Sequence, residues 1–252
     1  MAITGRASKN VALKKGKADA LKSKLFARLG IKILMAARSK GTDPSKNLDL
    51  ARALREAASH KLPKENIERA IKKASDKATG DYTRGVYEIR VAGAGILVTT
   101  LTDSPNRAVK AIKERAGKAE GGAKFLADGS VAFSFENKGV LRLSEGEGGE
   151  DLDQDRVIEA AFAADIDDVD FAPDDDGHGT LVLTSPEDLF KLQEALSRVG
   201  LLLTGELEMV AAEKVELGEA EREQVLGLIE SLEDLDDVDK VFTNLALSPS
   251  GT

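Results

Sequence analysis

Two histidines, no cysteine and one aspartate run are the openings this chain offers to catalysis or metal chemistry. His60 and His178 are its only side chains that ordinarily titrate near neutral pH. His60 sits on a polar helical stretch and His178 in a glycine-flanked turn, and both read as solvated residues. The run Asp174-Asp175-Asp176-Gly177-His178-Gly179 suggests a calcium loop, with glycine at the sixth place. The twelfth place would then be Ser185, where such a loop needs a bidentate glutamate. The run therefore reads as an acidic turn. Without cysteine there is no thiolate metal site, disulfide or Cys nucleophile. No nucleophile elbow, Walker loop or dinucleotide fingerprint occurs. The expectation is a binding protein rather than an enzyme, with no catalytic residue, metal, cofactor or small-molecule substrate.

Phosphate binding is the chemistry the residues favour. Arg6, Lys9, Lys14, Lys15, Lys17, Lys22, Lys24, Arg28 and Lys32 fall in a short span that holds a single acid, Asp19. With so few compensating acids, this stripe reads as a polyanion-contacting surface. Such contacts position a protein on phosphates without reading sequence. Asn106-Arg107 forms a second candidate, just inside a helix opened by Ser104-Pro105, where free N–H groups and the dipole suit an anion. Phe133 and Phe135 alternate on one predicted strand. Base stacking is open to them, but the low aromatic content makes core packing the preferred reading.

The elements that must position these residues follow from periodicity. Leu25, Phe26, Leu29, Ile33 and Ala36 recur on one helix face. Gly41-Thr42-Asp43-Pro44 breaks that helix, a second runs from Leu48 to Ala58, and Pro63 opens a third at its first turn. From Tyr82 the pattern becomes strand-like. Strands are predicted at 86–91, 96–102, 131–135 and 140–143, with a helix from Asp103 to about Ala119. After a Gly/Glu-rich stretch at 146–153 come helix 154–164, strands 168–172 and 180–184, helix 186–198, strand 206–211, helix 218–233 and strand 238–243. Asp165-Ile166-Asp167-Asp168-Val169-Asp170 repeats as Asp234-Leu235-Asp236-Asp237-Val238-Asp239, each between a helix and a strand. The fold class is α+β: an N-terminal helical domain, then two small ferredoxin-like α/β domains. Breaks between domains are expected near residues 80, 145 and 205.

Charge divides along the same lines. Residues 1–77 hold 20 Lys+Arg against 7 Asp+Glu, residues 78–140 hold 9 against 7, and residues 141–252 hold 7 against 30. The formal net charge of −8 thus conceals segments of +13, +2 and −23. A basic head is the electrostatic footprint of a nucleic-acid binder. No apolar run approaches the roughly 20 residues of a membrane span. No dimerisation seam is evident, so a monomer is expected. The expected compartment is the bacterial cytosol, with a mitochondrial or plastid matrix after transit-peptide removal as the alternative.

Several motifs resemble the YebC/PmpR family, which includes the mitochondrial translational activator of cytochrome c oxidase. Lys24-Leu25-Phe26, Ala36-Ala37-Arg38 and Gly41-Thr42-Asp43-Pro44 are similar to its N-terminal domain. The stretch from Pro63 to Lys73, PKENIERAIKK, resembles its most distinctive segment. Leu101 to Arg107 resembles its LTDNxNR segment, and Gly129-Ser130-Val131 through Phe135 with Lys138-Gly139-Val140 its GSV…F…KGV strands. Glu208-Met209, Leu232 to Val238 and Val241-Phe242-Thr243-Asn244 are similar to its C-terminal end. The resemblance implies no enzymatic activity and three domains, the second α/β domain inserted into the first: 1–79 for the basic helical domain, 80–143 plus 206–247 for the discontinuous middle domain, and 144–205 for the acidic insertion. It implies either translation factors acting at the ribosome or DNA-binding transcriptional regulators. The expected function is a ribosome-associated translational activator binding rRNA through the helical domain, with DNA-binding transcriptional regulation as the alternative. The chain departs from the family where GHSKW becomes Thr4-Gly5-Arg6-Ala7-Ser8, where GYGPGG shortens to Gly93-Ala94-Gly95, and where Pro105 replaces an often basic residue.

Overall fold

The computed structural model describes residues 5–76, 80–143, 152–173 and 179–246, with side chains from residue 22 onward. The chain divides into two compact units, Met1–Thr83 and Arg84–Thr252.

The first unit is helical. Helix α1 spans Gly5–Lys40, α2 Leu48–Ser59 and α3 Lys64–Ala74. The predicted periodic face of α1 is the buried one: Leu29, Ile33 and Ala37 pack with Leu50, Ala53 and Ala57 of α2 and Ala70 of α3. Asn47, wholly buried, joins two helix ends. Its Oδ1 accepts from the Leu50 N–H at 3.0 Å, capping α2, while its Nδ2 donates to the carbonyls of Ala36 and Gly41, each at 2.7 Å. One side chain thus caps the start of α2 and ties it to the end of α1. Pro63 takes the cap position of α3, one residue earlier than expected, and its carbonyl accepts from Asn66 and Ile67.

The second unit holds two four-stranded antiparallel sheets. The first contains β1 (Thr83–Val91), β2 (Ala94–Thr102), β3 (Lys124–Phe125) and β8 (Val238–Thr243), in the order β3-β1-β2-β8. Ala92 and Gly93 turn β1 into β2 with φ of 51° and 96°. Positive φ at both central residues is what a tight hairpin demands and what glycine supplies without strain. Helices α4 (Pro105–Lys118) and α7 (Glu219–Glu233) cover one face, burying Ile112, Ala116, Val225, Leu228 and Leu232 against Ile89, Ile96 and Val98.

The second sheet contains β4 (Phe135–Leu143), β5 (Val169–Pro173), β6 (Thr180–Thr184) and β7 (Leu203–Ala211), in the order β5-β6-β4-β7. Helices α5 (Gln154–Ala163) and α6 (Leu189–Arg198) pack on it through Val157, Ala161, Leu189, Leu192 and Leu196. Gly139 lets α6 sit close, since a Cβ there would stand 2.9 Å from Leu189 Cβ. Every strand of this sheet lies between β3 and β8 in sequence, so it is inserted into the first. The strand pairing differs from the expected boundaries at 143 and 206. Both β4 and β7 belong to the inserted sheet, paired along their whole length from Phe135↔Ala211 to Leu143↔Leu203.

One region departs from the predicted strand at 131–135. Residues Ala132–Ser134 form a single 3-10 turn, and β4 starts at Phe135. The cause is Glu88, a buried carboxylate on β1. It accepts from the backbone N–H of Gly129 at 2.5 Å, of Val131, and of Ala132 at 3.1 Å, so these donors never enter a sheet ladder. Phe133 and Phe135 therefore do not share a strand face. Phe135 is buried with Leu97 and Val131, whereas Phe133 is 80% exposed.

Candidate nucleic-acid interface

The predicted stripe runs along α1. Arg6, Lys9, Lys14, Lys15 and Lys17 fall on its N-terminal part, and their side chains lie outside the described ones. Lys22 is exposed, with Nζ 5.6 Å from the Phe26 ring centroid, a cation–π contact. Lys24 and Arg28 are half-buried. Lys32 corrects the expectation outright. Its Nζ bonds Glu56 Oε1 at 2.7 Å and only 12% of its side chain is exposed, so it struts α1 to α2 instead of offering a charge to phosphate.

Other cations of this unit face water. On α2, Arg52 and Arg55 lie opposite the buried Leu50, Ala53 and Ala57, beside the exposed Leu48. On α3, Arg69, Lys72 and Lys73 lie outside the packed face of Ile67, Ala70, Ile71 and Ala74 and are exposed. The spacing that marks the apolar face of each helix also marks these opposite positions, so the sequence carried the signal without a basic run to draw attention to it. Lys72 and Lys73 additionally stand in the last turn of α3, where the helix dipole favours cations. Arg38 is used internally: it donates to the carbonyls of Asp76 and Gly80 at 3.0 and 3.1 Å and to Asp81 Oδ1 at 2.7 Å, fastening the chain that leaves α3.

The Arg107 guanidinium is held by two carboxylates rather than left open to phosphate. Its Nε and Nη2 form a fork on Asp237 at 2.9 and 2.5 Å, and Nη2 also reaches Asp103 Oδ1 at 2.9 Å. Hydrogen bonds donated to Asp237 and then to Asp103 raise the Arg107 pKa, and the Arg107 hydrogen bond holds Asp237 below the usual carboxylate range. The pair ties the start of α4 to the corner before β8. Asn106 is exposed beside it. The repeated aspartate corners both exist, each between a helix and a strand. In the first, Asp168 takes the place of Asp237 and lies 3.6 Å from Lys138 Nζ.

His60 is the half-buried C-cap of α2, its backbone N–H donating to Glu56. His178 and the aspartates of the calcium reading lie outside the described residues. Among the described residues no three His, Asp or Glu side chains gather as a metal site, and no helix is long and apolar enough to cross a membrane.

Comparison with known proteins agrees with this layout. A family model described as the TACO1/YebC protein N-terminal domain matches residues 6–77, and one described as the TACO1/YebC second and third domain matches residues 82–245. A relative from Desulfosudis oleivorans, called a probable transcriptional regulatory protein, is 36% identical over 240 residues, covering 94% of each chain. Another so called, from Bifidobacterium animalis subsp. lactis, is 37% identical over 240 residues, covering 93% of this chain and 91% of its own. The crystal structure of a conserved hypothetical protein from Aquifex aeolicus superimposes with a TM-score of 0.76 at 29% identity, over 90% of this chain and 91% of that one. With both family models matched in order and the helical unit and inserted sheet in place, the chain belongs to the TACO1/YebC family.

Proposed function

We propose that the protein is a nucleic-acid-binding regulator of gene expression that grips phosphates through its helical unit, and that DNA is its target. The observation carrying this is the segregation of charge, 20 basic against 7 acidic residues over 1–77, with Arg52, Arg69, Lys72 and Lys73 exposed on α2 and α3. Residues 141–252, at 7 basic against 30 acidic, offer a phosphate backbone nothing comparable.

The relatives' description as probable transcriptional regulatory proteins supports DNA over the ribosomal RNA that the sequence reading put first. Helices α2 and α3, joined by His60–Pro63, give a compact helical pair with cations on the outward side of each. In this reading the protein binds and does not catalyse. The test is to crosslink it in cells and sequence what it retains. Recovery of discrete DNA fragments upstream of genes is the expected result. Recovery of ribosomal RNA alone, with salt-sensitive co-sedimentation on ribosomes, would overturn the DNA assignment and restore the translational one.

A further inference from the structure

We propose that Phe133, together with Arg90 and Lys124, forms a stacking site for an unpaired base and its phosphate in single-stranded nucleic acid. The inference rests on the nucleic-acid reading above and adds a second contact point, outside the helical unit.

Three observations converge on this corner of the first sheet. Phe133 is 80% exposed, although Phe135 two residues on is buried. Its exposure is not looseness. Glu88 holds the N–H groups of Gly129, Val131 and Ala132, Ser134 N–H bonds the Val131 carbonyl at 3.0 Å, and Ala212 N–H bonds the Ser134 carbonyl at 2.9 Å. The ring is thus displayed on a turn fixed from both sides, which is what a stacking platform needs.

The second observation is a like-charge pair. Arg90 and Lys124 stand directly opposite each other across β1 and β3, both exposed. Like charges so placed oppose strand pairing, and an anion between them would relieve that. The third is adjacency. Arg90 Nη2 lies 3.4 Å from the carbonyl of Ser130, three residues before Phe133, and shares a sheet face with Glu88. Glu88 spends its charge on backbone donors, so the exposed acid within the turn segment itself is Asp128. An exposed ring on a fixed turn, with a cation pair that reaches the same turn at Ser130, suits a nucleotide of any sequence, and suits an unpaired one because duplex bases are already stacked.

The test uses the full chain with labelled oligo(dT) and the matched duplex, followed by fluorescence anisotropy. Phe133→Ala should weaken oligo(dT) binding about tenfold to a hundredfold and change duplex binding less than about twofold. The Arg90→Gln/Lys124→Gln double variant, which removes both cations from the one phosphate, should lower the single-strand salt slope by about 0.7. The chain has no tryptophan, so Phe133→Trp introduces a sole indole. That variant should retain affinity, and oligo(dT) should quench its emission. Duplex binding by the wild type together with unchanged oligo(dT) affinity in Phe133→Ala and an unquenched indole would overturn this inference alone. A wild type that binds neither probe at low salt would overturn the nucleic-acid reading and this inference with it.

Discussion

At the scale of single residues, the second unit turns on two carboxylates, Glu88 and Asp237, whose roles local spacing does not single out among 44 acids. Burial alone would raise the Glu88 pKa, but the backbone N–H groups of Gly129, Val131, Ala132 and Ser130 hold it below the usual glutamate value of 4.5. A folded-state pKa below the unfolded one stabilises above about pH 4.5, and that contribution disappears as pH falls through the depressed value. Glu88→Gln should therefore cost about 2 kcal/mol at pH 7 and less at pH 4. Thermal melts of both proteins across that range check it; an equal cost at both pH values would contradict the account. Arg107→Ala should lower the melting temperature without changing DNA affinity by more than about twofold, because its fork is already on Asp237. A phosphate-binding arginine would show the reverse. The helix start at Arg107 was legible in the sequence. Its carboxylate fork was not, because Asp237 lies 130 residues away, and spacing along a chain does not report contacts of that range.

At the scale of elements, the periodic segments were legible and the exceptions have local causes. The α1 face of Leu29 and Ile33 and the α2 face of Leu50 and Ala53 follow from 3.6-residue spacing. The Phe133 turn was not legible, since alternating Val131, Phe133 and Phe135 look like a strand until Glu88 takes the backbone donors. The sheet membership of β4 and β7 was hidden for a related reason: a Gly/Glu-rich linker marks a loop, not which sheet the preceding strand joins. Two substitutions test the element-level account. Asn47→Ala removes the α2 cap and the amide's bonds to the carbonyls of Ala36 and Gly41, and should destabilise the helical unit by about 2–3 kcal/mol in urea melts. Gly139→Ala drives a Cβ against Leu189 Cβ at 2.9 Å, where neither backbone yields readily. It should cost about 1–3 kcal/mol, and an unchanged urea midpoint would show that α6 is not seated as described.

At the scale of the whole molecule, charge is the property that points to function, and it was fully legible. What the chain order could not reveal is which cations are available. Lys32, inside the predicted stripe, is bonded to Glu56, while Arg52, Arg69 and Lys72, outside it, face solvent. The central claim is that these outward cations of α2 and α3 contact phosphates. The most direct measurement is the salt dependence of duplex DNA binding by the full chain and by an Arg52→Gln/Arg69→Gln/Lys72→Gln variant. If each residue neutralises one phosphate, the slope of log affinity against log salt should fall by about 2.7 in the variant, with its melting temperature kept. A variant with the wild-type slope and affinity would contradict the claim.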